Sequence, residues 1–166
     1  MGLFDFLKPK PKMSHTIILA SIHGQTLTWA HNIFKPVEKY FERQPRYEYL
    51  VAFSGTIATQ CYLFAATGIK NQQPDTDSVI TFIQSMADHL REDAGTDEPE
   101  LFLQEMMTEY RDLFTNGMAR QNMHELCSEF TFHYTLLDGL ADQINQLNET
   151  IQMQCNIITR AAVDML

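Results

Sequence analysis

Residues 123–165 read MHELCSEFTFHYTLLDGLADQINQLNETIQMQCNIITRAAVDM. Along them, apolar or small side chains return in alternating steps of four and three. Cys127, Phe130, Tyr134, Leu137, Ala141 and Ile144 form the first half, and Ile151, Cys155, Ile158, Ala162 and Met165 the second. Asn148 is the one strongly polar member of the series. A seven-residue repeat held this long predicts a helix packed at a shallow angle along its neighbours. Unbroken, it would reach about 60 Å at roughly 1.5 Å per residue, whereas a compact domain of this size is only about 30–35 Å across. The chain therefore either breaks at Asp138 and Gly139 and folds back, or projects and pairs with another subunit. The repeat keeps its phase through Gly139, which favours continuity. Asn148 reads either as the polar residue that fixes register between paired helices or as one rotated towards water.

Upstream, residues 49–69 (YLVAFSGTIATQCYLFAATGI) carry no charge between Glu48 and Lys70. The length would span a bilayer, but Ser54, Gly55, Thr56, Thr59, Gln60, Thr67 and Gly68 make the segment too polar for a lone lipid-facing span. It reads as a buried helix, apolar nearly all round, that needs cover on most sides and ends at a Gly68 cap.

The remaining segments also carry helical spacing. Ser14 is the expected N-cap of a first helix with Ile18, Ile22, Trp29, Ile33, Val37 and Tyr40 on one face, kinked or broken at Pro36. A third helix starts after Asp75 or Asp77 and aligns Val79, Phe82, Ile83, Met86 and Leu90. A fourth opens at Thr96-Asp97-Glu98-Pro99, aligns Leu103, Met106, Met107, Tyr110, Leu113 and Phe114, and stops at Asn116-Gly117. No segment alternates as a strand does. The expectation is an all-α bundle of about five helices, with a hydrophobic central helix and a long C-terminal one. Residues 14–166 form a single domain, and residues 1–13 a flexible apolar and basic tail.

A net charge of −9 excludes the phosphate attraction on which nucleic-acid binders rely. Cys61, Cys127 and Cys155 are odd in number, form no CxxC pair and sit among apolar residues, so they read as core thiols of a cytoplasmic protein. In the tail, Leu3, Phe4, Phe6 and Leu7 precede Lys8-Pro9-Lys10-Pro11-Lys12. Beyond a plain disordered terminus, these four suit a docking peptide for a partner, or a weak membrane contact.

Catalytic motifs are missing: there is no phosphate-cradling glycine loop, no GxSxG elbow and no HExxH. None of the six histidines follows a glutamate by three residues, so the Glu-x-x-His pairs of di-iron bundles are lacking. No cofactor and no metal set is expected on these grounds. Glu129 and His133, four apart, share a helix face. With His31 from another helix they are the candidate ligand-binding residues, against the plainer alternative of a surface ion pair. Together these features point to a non-enzymatic, adaptor-like interaction protein, a homodimer that also binds another protein. The alternative is a small-ligand- or metal-binding bundle, with enzymatic activity open. The first predicts His31, Glu129 and His133 exposed and separate; the second predicts them buried and converging.

Overall fold

The computed structural model describes residues 13–41, 43–137 and 140–166. Six α-helices follow in order: α1 (His15–Phe34), α2 (Tyr47–Phe64), α3 (Thr76–Asp93), α4 (Pro99–Arg120), α5 (His124–Thr135) and α6 (Ala141–Met165). No strand occurs among the described residues. The fold is an all-α bundle, as the periodicity implies.

Helix α2 is the axis and packs against each of the other five helices. Ten successive residues, 50–59, are buried, which a helix achieves only when neighbours surround it. Tyr47–Ile69 is long and apolar enough to cross a membrane, yet most of it is buried within the bundle. An aromatic core fixes the neighbours in place. Phe53 of α2 stacks on Phe130 of α5 with ring centroids 4.0 Å apart. Phe34 of α1 meets Phe130 edge-on at 5.8 Å, and Tyr110 of α4 meets Phe53 edge-on at 5.9 Å. Such pairs add roughly 0.5–1.5 kcal/mol each beyond their area burial.

Several helix ends differ from expectation. Ser14 occupies the N-cap of α1, but its side chain makes no capping hydrogen bond. Helix α1 stops at Phe34, just before Pro36, and a short 3-10 turn follows at Glu38–Tyr40. Helix α2 is not capped by Gly68. It widens into a π-helical turn, Ala65–Ile69, and left-handed Asn71 (φ 51°) terminates it. Asp75 caps α3 by accepting from the Ser78 N–H at 3.2 Å. Helix α4 runs through Asn116-Gly117 to Arg120, and Gln121 (φ 53°) ends it in the left-handed region.

The C-terminal repeat is not one helix. Helix α5 ends at Thr135, left-handed Leu136 (φ 55°) turns the chain, and α6 folds back along α1, α2 and α5. Continuity through Gly139 is thereby overturned, and with it the sixth helix is explained. The physical reason is burial: a projecting α6 would expose Leu147, Ile151, Cys155, Ile158 and Ala162, all of which are buried here. Each large apolar side chain so covered contributes roughly 1.5–3 kcal/mol. Asn148 is half-buried on α6. Its Oδ1 accepts the backbone N–H of Met123 at 3.0 Å, tying α6 to the start of α5.

Candidate functional site

Glu129 and His133 stand one turn apart on α5, with His133 Nε2 3.4 Å from Glu129 Oε1. Packing of α4 against α5 adds a third group, Glu109. One ligand atom from each of Glu109, Glu129 and His133 lies within 4.8 Å of the other two. Glu109 is exposed, Glu129 half-exposed, and the His133 side chain retains 19% of its exposure.

The imidazole is held from behind. Its Nδ1 lies 3.0 Å from the hydroxyl of Tyr110, which is wholly buried. Its ring stacks on Tyr49 at 4.9 Å, and the Arg46 guanidinium sits 4.2 Å over the same tyrosine ring. Arg46 is fixed in turn by a 3.0 Å contact with Glu48, while its backbone N–H donates to the Tyr134 carbonyl at 2.8 Å. The entry to α2 is thus tied to the end of α5. Burial above all, then the negative charge of Glu109, with Tyr49 and Glu129 adding and Arg46 opposing, pushes the Tyr110 phenol far up. Tyr110 therefore stays protonated and serves as a fixed hydrogen-bonding partner. In the tautomer that places the proton on Nδ1, His133 donates to the Tyr110 oxygen and turns the Nε2 lone pair towards the two carboxylates.

His31 does not join this group. Its Nδ1 pairs with Glu38 Oε1 at 3.4 Å, at an open hollow it shares with Gln44, Pro45 and Tyr134. Leu3, Phe4, Phe6 and Leu7 lie outside the described residues. Two of the three expected ligand residues, Glu129 and His133, are therefore brought together, His31 is elsewhere, and Glu109 was missed. No spacing in the sequence links Glu109 to Glu129, because only tertiary packing of α4 on α5 makes them neighbours.

No protein-family model, curated protein or solved structure matches this chain.

Two apolar grooves open beside α2. One, of about 510 Å³, lies between α2, α3 and α4. The other, of about 530 Å³, lies between α2, α4 and α6, and exposed Phe64, Ile69 and Met118 contribute to its lining. The three cysteines are free and buried. Burial pushes the Cys127 thiol up to about 12, which makes it inert near neutral pH. Cys61 is lowered chiefly by a hydrogen bond from Cys155, whose own thiol is pushed up by the same contact. Around the turn between α3 and α4, Arg91 pairs with Asp88 and Glu100, and His89 lies against Asp93.

Proposed function

We propose that this chain is a non-enzymatic helical binding protein that takes a divalent transition-metal ion between α4 and α5, on Glu109, Glu129 and His133. The supporting observation is the convergence of two carboxylates and one imidazole within 4.8 Å, with the far nitrogen of that imidazole already engaged by buried Tyr110. Two carboxylates this close carry like charge, and a cation between them is attracted to both. Two oxygens and one nitrogen suit Zn2+, Mn2+ or Fe2+ and leave coordination positions open to a further ligand. The ion links α4 to α5, and Tyr110 orients the histidine from behind, as outer partners of metal-bound imidazoles do.

Isothermal titration with Zn2+ and Mn2+ tests this directly. Saturable one-site binding is expected, weakened at least about tenfold by either His133→Ala or Glu109→Gln. The thermal midpoint should rise with excess ion in the parent protein alone. Zn2+ binding that both variants leave unchanged would reject the site.

A second reading, an interaction protein acting as a homodimer, draws on one observation: Phe64, Ile69 and Met118 are 59%, 51% and 48% exposed around the α2–α4–α6 groove. Both sequence features that pointed to a partner, the apolar α2 and the long heptad, find cover inside the chain. The groove alone now supports a second copy. Sedimentation of the full chain and of Met118→Glu separates the cases, since a concentration-dependent dimer lost in the variant is required. Leu3, Phe4, Phe6 and Leu7 remain proposed contacts for a protein partner, and the free thiols support a cytoplasmic setting.

A further inference from the structure

Two of the three thiols meet in the wall of the α2–α4–α6 groove. Cys61 of α2 and Cys155 of α6 both line it, and they are hydrogen-bonded to each other where the two helices pack. Each keeps a little exposure, 4% and 7%, whereas Cys127 of α5 keeps none and stands outside the lining. The two partners are not equivalent. Cys61 accepts from the Cys155 S–H and from the Thr159 hydroxyl, and these contacts draw its thiol below the usual range against the effect of burial. The same contact, together with burial, pushes the Cys155 thiol up. Cys61 is thus the one that ionises, and Cys155 the one that stays protonated. Arg160, the one charged side chain of the lining, is cationic, so no carboxylate in the groove wall opposes a thiolate.

A thiolate held against a second thiol is the arrangement in which a resolving cysteine completes peroxide oxidation. We propose that Cys61 and Cys155 are a redox modification site, oxidised by hydrogen peroxide entering the α2–α4–α6 groove to a disulfide that joins α2 to α6. In the first step the Cys61 thiolate attacks one peroxide oxygen and the O–O bond breaks. Cys61 becomes a sulfenic acid, oxidised by two electrons, and the other oxygen leaves as hydroxide and takes up a proton. In the second step the Cys155 sulfur attacks the Cys61 sulfur, the S–S bond forms and the S–O bond breaks. The departing hydroxide takes the Cys155 proton and leaves as water. The sum is two thiols and one peroxide giving one disulfide and two waters. The site is separate from Glu109, Glu129 and His133 and does not depend on them.

The test treats the full chain with hydrogen peroxide in a chelator-containing buffer, beside glutathione as a reference thiol. Remaining thiols are then alkylated in denaturant, and the chain is digested after Lys, Arg and Glu, which separates Cys127 from Cys155 at Glu129 and Glu149. The intact chain should lose about 2 Da, the two thiol hydrogens. One linked peptide pair, carrying Cys61 and Cys155, is expected, with Cys127 alkylated, and dithiothreitol should undo the link. The urea-unfolded chain should lose that selectivity. In Cys155→Ser, whose hydroxyl keeps the hydrogen-bond donor, the reaction should stop at the sulfenic acid, and dimedone should label Cys61. Four outcomes overturn the proposal: all three thiols still alkylated when glutathione is oxidised, a link that includes Cys127, the same selectivity in the unfolded chain, or no dimedone label on Cys61 in the variant.

Discussion

At Gly117 the last turn of α4 meets the start of α5 with no room for a side chain. A Cβ there would lie 2.5 Å from Met123 Sδ and 3.0 Å from the backbone oxygen of Asn122. The sulfur can move aside, but the carbonyl is part of the turn and cannot. Gly117→Ala therefore should destabilise the fold by about 1–3 kcal/mol, even though alanine is the better helix former. Gly24, in the middle of α1, is the control, because nothing lies within 4 Å of its Cβ position. Gly24→Ala should stabilise by about 0.5–1 kcal/mol. Urea unfolding of both variants checks the opposite signs. In the sequence Gly24 lies within one apolar helical stripe and Gly117 at the end of another. Only the tertiary approach of Met123 shows that Gly117, which reads as a helix stop, is a close contact.

Helices α1, α3 and α4 were legible because each carries an apolar stripe bounded by proline or a capping residue, as at Pro36, Asp75 and Pro99, and α2 because its apolar run is free of charge between Glu48 and Lys70. The break between α5 and α6 was not, because the four-three spacing runs through it without a phase change. Both halves bury the same face, but against different partners, and a heptad says nothing about which. Asn148 records the fold-back. Its side chain accepts the N–H of Met123, itself 1% exposed, so losing that acceptor strands a covered donor. Asn148→Ala should cost about 1–3 kcal/mol. Asn148→Asp keeps the acceptor and places negative charge at the start of α5, so it should unfold at nearly the parental urea midpoint. Equal losses in both would mean that the amide acts through packing instead. For the candidate site the same limit applies. Glu129 and His133 share one helix and could be paired from their spacing, whereas Glu109 and Tyr110 arrive on another.

Three helices converge on His23, which makes its titration a property of the whole molecule. The ring lies edge-on to Phe82 of α3 at 5.4 Å, beside the backbone of Val51 in α2, and its Nε2 is covered with no partner. Burial pushes the imidazole from 6.5 down to about 4; the Val51 backbone opposes that shift, and the positive charge of His89 adds to it. The unfolded chain thus takes up a proton at a pH where the folded chain still refuses it, and stability rises with pH across that interval. Full stability holds above about pH 6.5, declines as the pH falls towards 4, and loses on the order of 2–3 kcal/mol from this group. Asp75 and Glu100, both held below the usual carboxylate range by their hydrogen-bond partners, act in the same direction but at lower pH. His23→Leu removes the proton site and leaves no unpaired nitrogen behind. Its urea-unfolding free energy should be nearly flat between pH 6.5 and 4.5, whereas the parental value falls. An equal fall in both proteins would move the acid sensitivity to the carboxylates and away from the junction of α1, α2 and α3.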